Sequence, residues 1–447
     1  RSRTIRFTFD GKSYSGYQGD TLAAALLANG VTLMGRSFKY HRPRGCLTAG
    51  SEEPNAIVEL RSGARQEPNT RATMIELYDG LEVKSQNRWP SLRFDVQSIN
   101  QLLSPFLTAG FYYKTFMFPQ SMWETYEKFI RKAAGFGRSS LETDVDVYDN
   151  VNQHADVLIV GAGPAGLSAA LAAAKSGARI ILADEQSEMG GSLLDSSAEI
   201  DGKPATQWIA DAVAELSDYD NVMLLPRSTV NGYHDHNFLT IHERRTDHLS
   251  DQAENGQIRQ RMHRVRAKWV VLATGSHERP LVFGNNDVPG VMLASAISTY
   301  IRRYAVAPGN KLVLMTTNDN AYQTAFDWAD AGREVVAIVD TRANPSGACV
   351  EAAKARGLKV ITGSAVIEAK GDKRVTGVLI AGIDAKGEKV TSEADAYDCD
   401  VVASSGGWSP AIHLSCHTGS RPVWSDEIIG FVPGATVQKQ LTAGSIN

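Results

Sequence analysis

Two short apolar runs frame the most informative stretch of this chain. Val157 to Val160 and Ile180 to Ala183 are each long enough for one buried strand. Between them an alanine-rich helical pattern extends to about Lys175 and is ended by Gly177. The turn from first strand to helix reads Gly161-Ala162-Gly163-Pro164-Ala165-Gly166, and Asp184 stands where the second strand should stop. Each part suits a dinucleotide. Gly161 makes a tight turn, Gly163 lets a pyrophosphate approach the backbone, and Gly166 lets helix and strand pack closely. Amide groups at the helix start face the phosphates. Asp184, 23 residues after Gly161, is placed to accept hydrogen bonds from the adenine ribose.

A different rhythm opens the chain. RTIRFTF and KSYSGY alternate like strands around Asp10-Gly11, a strong hairpin signal. Asp20 is placed to cap a helix over TLAAALLANG, and strands are expected at NAIVEL, TMIEL and LEVKSQN. The intervening loop, RSFKYHRPRGCLTAGSEEPNA, carries Arg36, Lys39, Arg42 and Arg44. It is either a solvated basic loop or a contact for a phosphate or partner. Residues 88–150 are dense in aromatics (RWPSLRF, SPFLTAGFYYKTFMFP, MWETYEKFIRKAAGFG), so some should be buried against a neighbour.

Beyond the fingerprint, Met189-Gly190-Gly191-Ser192 forms a loop able to close over a cofactor. A helix is expected at TQWIADAVAELS and a strand at NVMLLPRSTV, which ends on Val230. FLTIHERR and HRVRAKWVVLATG bracket a polar hairpin tip, DHLSDQAENGQIRQ. A buried strand then ends in Thr274-Gly275. KLVLMTTNDNAYQTAFDWADAGREVVAIVD repeats strand, helix and strand, but its loop, Thr316 to Asn320, has no glycine. Side chains there would obstruct a pyrophosphate, so one dinucleotide is expected. Gly406-Gly407-Trp408 sits at a later strand end, suiting a turn or a cofactor contact.

Composition narrows the classes. The 447 residues are 43 % hydrophobic and 21 % charged, as in ordinary globular proteins. The net charge of −4 gives no basic field for nucleic acid. No apolar run is long enough for a membrane span, and no signal-peptide pattern opens the chain, which reads as cytoplasmic. Four scattered cysteines with no CxxC exclude a redox-active disulfide motif. His234, His236, His242 and His248 fit no closed zinc spacing, and His413-x3-His417, with Cys416 between, has helical ligand spacing but lacks the metalloprotease Glu. No nucleophile-base pairing stands at motif spacing, so no catalytic residue and no metal ligand are assigned.

Several resemblances follow from these residues. Hairpin, helix, long loop and strands resemble the β-grasp of plant-type [2Fe–2S] ferredoxins. Where such a loop holds C-x4-C-x2-C, this chain has His41-x4-Cys46-x2-Ala49, so no cluster is expected. GAGPAG together with VVLATGSHERP resembles the two-dinucleotide flavoprotein oxidoreductases. The order of all segments, with GRSFKYHRPRG, EEPNA and SSGGWSP, resembles the N-terminal half of α subunits of heterotetrameric sarcosine oxidases. The resemblance implies an α/β, two-dinucleotide-domain fold (FAD/NAD(P)-binding type) behind a β-grasp module. It implies NAD in this chain, with FAD, FMN and tetrahydrofolate in a complex with a flavoprotein β subunit and smaller subunits. That complex demethylates sarcosine to glycine, passing electrons to oxygen. Opine oxidases and cyanide-forming dehydrogenases share the layout, and the fingerprint suits FAD as well as NAD. A scaffold with a vestigial site is a further reading. The last helix of such proteins is not in the sequence, so the chain reads as a fragment of a longer polypeptide.

The domains expected are 1–87 (β-grasp), 88–154 (connecting), 155–285 (first dinucleotide domain), 286–400 (second, degenerate) and 401–447 (return to the first). Candidate nucleotide contacts are Gly161, Ala162, Gly163, Pro164, Ala165, Gly166, Asp184, Glu185, Gln186, Gly191, Ser192, Val230, Thr274, Gly275 and Gly407.

Overall fold

The computed structural model describes residues 3–107, 110, 118–249 and 257–447. FYYKTFM (111–117) and residues 250–256 of the expected hairpin tip lie outside them. The chain divides into two compact units: 1–145 with 280–406, and 146–279 with 407–447.

In the first unit, strands Thr4–Phe9 and Lys12–Tyr17 form the expected hairpin, with Asp10 (φ 48°) and Gly11 (φ 75°) at its turn. Left-handed geometry at both positions matches the twist of a two-residue hairpin. Leu81–Ser85 lies parallel to Thr4–Phe9, and Ile57–Leu60 and Glu67–Arg71 complete a five-stranded β-grasp sheet. Helix Leu22–Ala28 buries its side chains from Leu22 to Leu27 over that sheet. Its cap is Thr21, whose hydroxyl accepts the Ala24 N–H, rather than Asp20, whose carboxylate accepts the Tyr17 N–H. TMIEL also departs from expectation. Ala72–Met74 is a single 3-10 turn, and the edge strand is the polar segment Glu67–Arg71. Apolar residues there fill the core from a turn, and an edge strand needs no apolar face.

The same unit holds a parallel sheet in the order Val291–Leu293, Val401–Ser405, Lys311–Thr316, Glu334–Asp340, Val360–Thr362. A three-stranded antiparallel sheet, Ser364–Gly371, Val375–Gly382 and Asp395–Tyr397, accompanies it. Val401–Ser405, expected to return to the first dinucleotide domain, instead lies in the parallel sheet between Val291–Leu293 and Lys311–Thr316, and the second unit resumes at Gly407. One apolar core joins Phe7, Leu26 and Leu81 of the β-grasp to Tyr300, Tyr322 and Trp328.

The basic loop spends its charge internally. Arg36 donates to the carbonyls of Leu92 and His41, while Arg42 (2.6 Å) and Arg44 both pair with Asp287. Among the described aromatics of 88–150, Trp89, Phe94, Phe106, Phe118 and Phe129 are exposed, Trp123 and Tyr126 are half-buried, and Phe136 stacks on Phe38 at 4.7 Å.

The second unit is built on two long parallel strands, Val147–Val160 and Ile258–Leu272. Residues 147–154 are therefore strand, not linker. Their alternating exposed side chains, tied by Arg261 to Asp149 at 2.7 Å, conceal this in the sequence. The sheet order is Val222–Leu225, Ile180–Ala183, Val147–Val160, Ile258–Leu272, Phe238–Arg244, Ser228–His234. Gln440–Thr442 adds a further parallel strand beside Val270–Leu272. NVMLLPRSTV is thus two strands, broken at Pro226-Arg227, where Arg227 takes φ 55°.

Candidate nucleotide-binding site

Strand Val147–Val160 ends at the glycine loop, and helix Pro164–Ala174 starts three residues later. Gly161 has φ 97°, and a Cβ there would meet the Ala273 carbonyl oxygen at 2.3 Å. A Cβ on Gly166 would meet the Gly161 carbonyl oxygen at 1.8 Å. Both are glycine because backbone occupies the space. Gly163 differs: a Cβ there finds nothing nearer than the Gly191 Cα at 3.9 Å. The protein leaves that face open, as close approach of a ligand requires. Pro164 opens the helix and has no N–H to lose, and Gly163 has no side chain to cap the amides that follow. Those amides carry the partial positive charge of the helix N-terminus.

Asp184 is 9 % exposed, and its carboxylate is already engaged. Oδ2 accepts the Ala162 N–H at 2.6 Å and Oδ1 accepts the Gln186 N–H at 2.8 Å. Neighbouring strands pin the segment. The Asp184 carbonyl accepts from Ser228 N–H, that of Gln186 from Arg227 N–H, and that of Glu185 from the Arg244 guanidinium. Val230 stands two residues beyond Ser228, partly buried against the unit's core.

Other predicted contacts gather at the loop. Gly190 donates its N–H to the Ala162 carbonyl at 2.8 Å, and Gly191 (φ 54°) lies against Gly163, where a Cβ would come within 2.8 Å of its Cα. Ser192, in the same turn, is exposed. Thr274 donates its hydroxyl to the Ala411 carbonyl at 2.8 Å, and Gly275 (φ 74°) accepts the Ala411 N–H. Gly407 is held apart from Gly275. Strands Ser276–Glu278 and Trp408–Pro410 pair antiparallel, with Ser276 opposite Pro410, so Gly407 lies at the far end beside Arg279.

Two contributors escaped the sequence reading. Strand Gln440–Thr442 leads into Gly444, whose φ is 79° and where a Cβ would sit 2.8 Å from the Ala165 Cβ. Ser445 Oγ is 3.9 Å from the Cβ position of Gly275. The signal was present as an apolar-flanked Thr-Ala-Gly ending a short run, but it was too brief to separate from a loop.

The second strand-helix-strand unit shows a filled counterpart. Thr316 Oγ1 donates to the Asn318 carbonyl and accepts the Asn318 N–H, while Asn318 Nδ2 reaches Ser405 Oγ at 3.0 Å. Arg342 bridges Asp319 (2.7 Å) and Asp340 (2.8 Å), and Tyr322 donates to Asp340. The donors and charges that a nucleotide would use are paired with one another.

Among the described residues, no group of three or more His, Cys, Asp or Glu is placed to hold a metal. His242 bonds Gln260, and His236 (φ 59°) sits in a turn. All four cysteines are unpaired, Cys46 and Cys399 buried and Cys416 exposed. No helix among the described residues is long and apolar enough to cross a membrane.

A doubly built nucleotide-domain oxidoreductase fold behind a ferredoxin-like module is what these elements define. The chain belongs to the pyridine nucleotide-disulphide oxidoreductase family, whose model matches residues 155–423. A 2Fe-2S iron-sulfur cluster binding domain model matches residues 2–88. Over its full length the chain is 49 % identical to sarcosine oxidase subunit alpha of Rhizobium meliloti (strain 1021), covering 44 % of that protein. It is 39 % identical to the subunit of the same name from Corynebacterium sp. (strain P-1), covering 42 %. The chain thus spans less than half the length of these relatives. L-proline dehydrogenase from P. horikoshii aligns over all of this chain and 69 % of its own, with a TM-score of 0.61 at 19 % identity, which shows the shared fold.

Proposed function

We propose that this chain is the nucleotide-binding portion of the α subunit of a sarcosine oxidase complex, and that it holds one NAD. The observation that carries the reading is the open face at Gly163 within a loop whose other glycines are closed by backbone. Amides of the first helical turn would hold the pyrophosphate, and Asp184 the adenine ribose. Glu185, Gln186, Gly191, Ser192, Val230, Thr274 and Gly275 would line the remainder, with Gly407 further off. NAD would be held here with no hydride chemistry of its own and would not be reduced by substrate. This chain's residues would bind and orient it.

The 49 % identity over the whole chain supports the sarcosine oxidase reading, as does the family's oxidoreductase fold. The activity would belong to the complex: oxidative demethylation of sarcosine to glycine, with tetrahydrofolate receiving the one-carbon unit and oxygen reduced to H2O2. FAD, FMN and tetrahydrofolate would be bound there, with a flavoprotein β subunit and smaller subunits as partners, in the cytoplasm. The boundary at 87 belongs to the same proposal, whereas those expected at 154, 285 and 400 give way to 145/146, 279/280 and 406/407. The deciding experiment is heat release of the bound small molecule, identified by mass and absorbance. NAD supports the proposal; FAD overturns the cofactor assignment, and an empty protein overturns the site.

A further inference from the structure

The residues matched as an iron-sulfur domain do not fit a cluster. Four thiolate-type ligands are needed, and Cys46 is the one cysteine in residues 2–88. Cys46 is buried with Sγ 3.2 Å from the Met34 sulfur, and burial pushes its thiol well above the ordinary value. His41, at the first ligand position of the pattern, is committed through Nδ1 to the buried Asp95 at 2.6 Å. Ala49, at the third, has no donor atom to offer.

The loop nevertheless folds around an anion. Glu53 is 1 % exposed. Its Oε2 accepts the N–H groups of Leu47 (2.9 Å) and Thr48 (2.7 Å) and the Thr48 hydroxyl (3.2 Å). Its Oε1 accepts the N–H groups of Asn55 (2.8 Å) and Ala56 (3.0 Å). Leu47 and Thr48 lie between Cys46 and Ala49, the interval whose amides would face cluster sulfur, itself an acceptor of hydrogen bonds. Their carbonyls point the other way, accepting from Leu293 N–H (2.8 Å) and Tyr300 OH (2.9 Å). Burial pushes the Glu53 carboxyl up and the four amides pull it down, with burial the stronger.

We infer that Glu53 is a built-in anion that takes the place of the cluster. One carboxylate supplies the acceptors around which residues 46–56 close, and so sets the carbonyls that seat the β-grasp module on helix Ala294–Tyr304 and the strand before it. Glu53 is a positioning residue, and the module is a docking element that needs no metal.

The test has three arms, all on the intact protein. Iron and acid-labile sulfide, measured before and after anaerobic reconstitution with Fe(II) and sulfide, stay at background; two irons per chain would overturn the inference. Hydrogen exchange shows the amides of Leu47, Thr48, Asn55 and Ala56 protected in the unsubstituted protein, whereas fast exchange there would overturn it. Glu53→Ala lowers Tm by about 5 °C or more, and formate recovers part of that loss where chloride at equal ionic strength does not. Glu53→Gln is also destabilised but is not rescued by formate, because its NH2 fills the space facing two amide donors. An unchanged Tm in both variants, or equal response to formate and chloride, would overturn the proposal.

Discussion

Asp184 Oδ2 accepts the backbone N–H of Ala162 at 2.6 Å, so the acid at one strand end is hydrogen-bonded into the glycine loop at the other. Its second oxygen takes the Gln186 N–H at 2.8 Å. Loop shape and the proposed ribose contact would therefore be coupled through a single carboxylate. Asp184→Asn puts an NH2 against one of these amides. It should weaken nucleotide binding by roughly tenfold to a hundredfold, about 1–3 kcal/mol, with a lowered Tm even in nucleotide-free protein. Calorimetry and a melting curve read both, and a variant that binds normally would remove Asp184 from the site.

Two glycines of one loop should fail in different ways. Gly163→Val adds bulk into open space, so the protein folds and nucleotide occupancy is lost. Gly166→Ala drives a methyl into the Gly161 carbonyl oxygen at 1.8 Å and should cost about 3 kcal/mol or more in stability. Expression yield, Tm and released nucleotide separate the outcomes. Retained nucleotide in Gly163→Val would show that the pyrophosphate lies elsewhere.

Stoichiometry tests the filled second loop. One nucleotide per chain is expected from quantitative release, because Asn318 and the Asp319–Arg342–Asp340 bridge occupy the second mouth. Arg342→Ala should leave that number at one while lowering stability by about 1–3 kcal/mol, since it strips the charged partner from the fully buried Asp340 and leaves it Tyr322. A nucleotide lost with this variant would place the site in the wrong unit.

The thiols should sort by burial. Cys416 is exposed and should react with a disulfide reagent in the native protein, while Cys46 and Cys399 should wait for unfolding. Burial, with Asp400 and Asp398 nearby, pushes Cys399 from 9.0 up to about 12. The unfolded thiol ionises first, so this group's contribution to stability is complete below pH 9 and declines as pH rises toward 12. Alkaline melting curves, with and without Cys399→Ser, check the sign. Rapid labelling of Cys399 at neutral pH would contradict its burial.

What local pattern could settle, it settled. The strand-loop-helix-strand-acid run at 155–184 was legible because each part has its own residue type at short spacing, and the Asp10-Gly11 hairpin for the same reason. The whole-chain resemblance likewise rested on segment order. Residues whose role depends on distant partners were not legible. Thr21 displaced Asp20 as cap because the Asp20 carboxylate is drawn to the Tyr17 amide. The polar Glu67–Arg71 became a strand only because Ile57–Leu60 stood ready to pair with it. Gly444 joined the loop because a three-residue strand packs beside Val270–Leu272. Glu53 was one acid among several in an irregular loop until folding closed four amides around it. Sequence spacing thus determined the glycine loop at which the phosphates are proposed to lie. Tertiary structure alone decided which polar groups are spent on the protein itself, because hydrogen-bond satisfaction is settled by what lies nearby in space, however far apart in the chain.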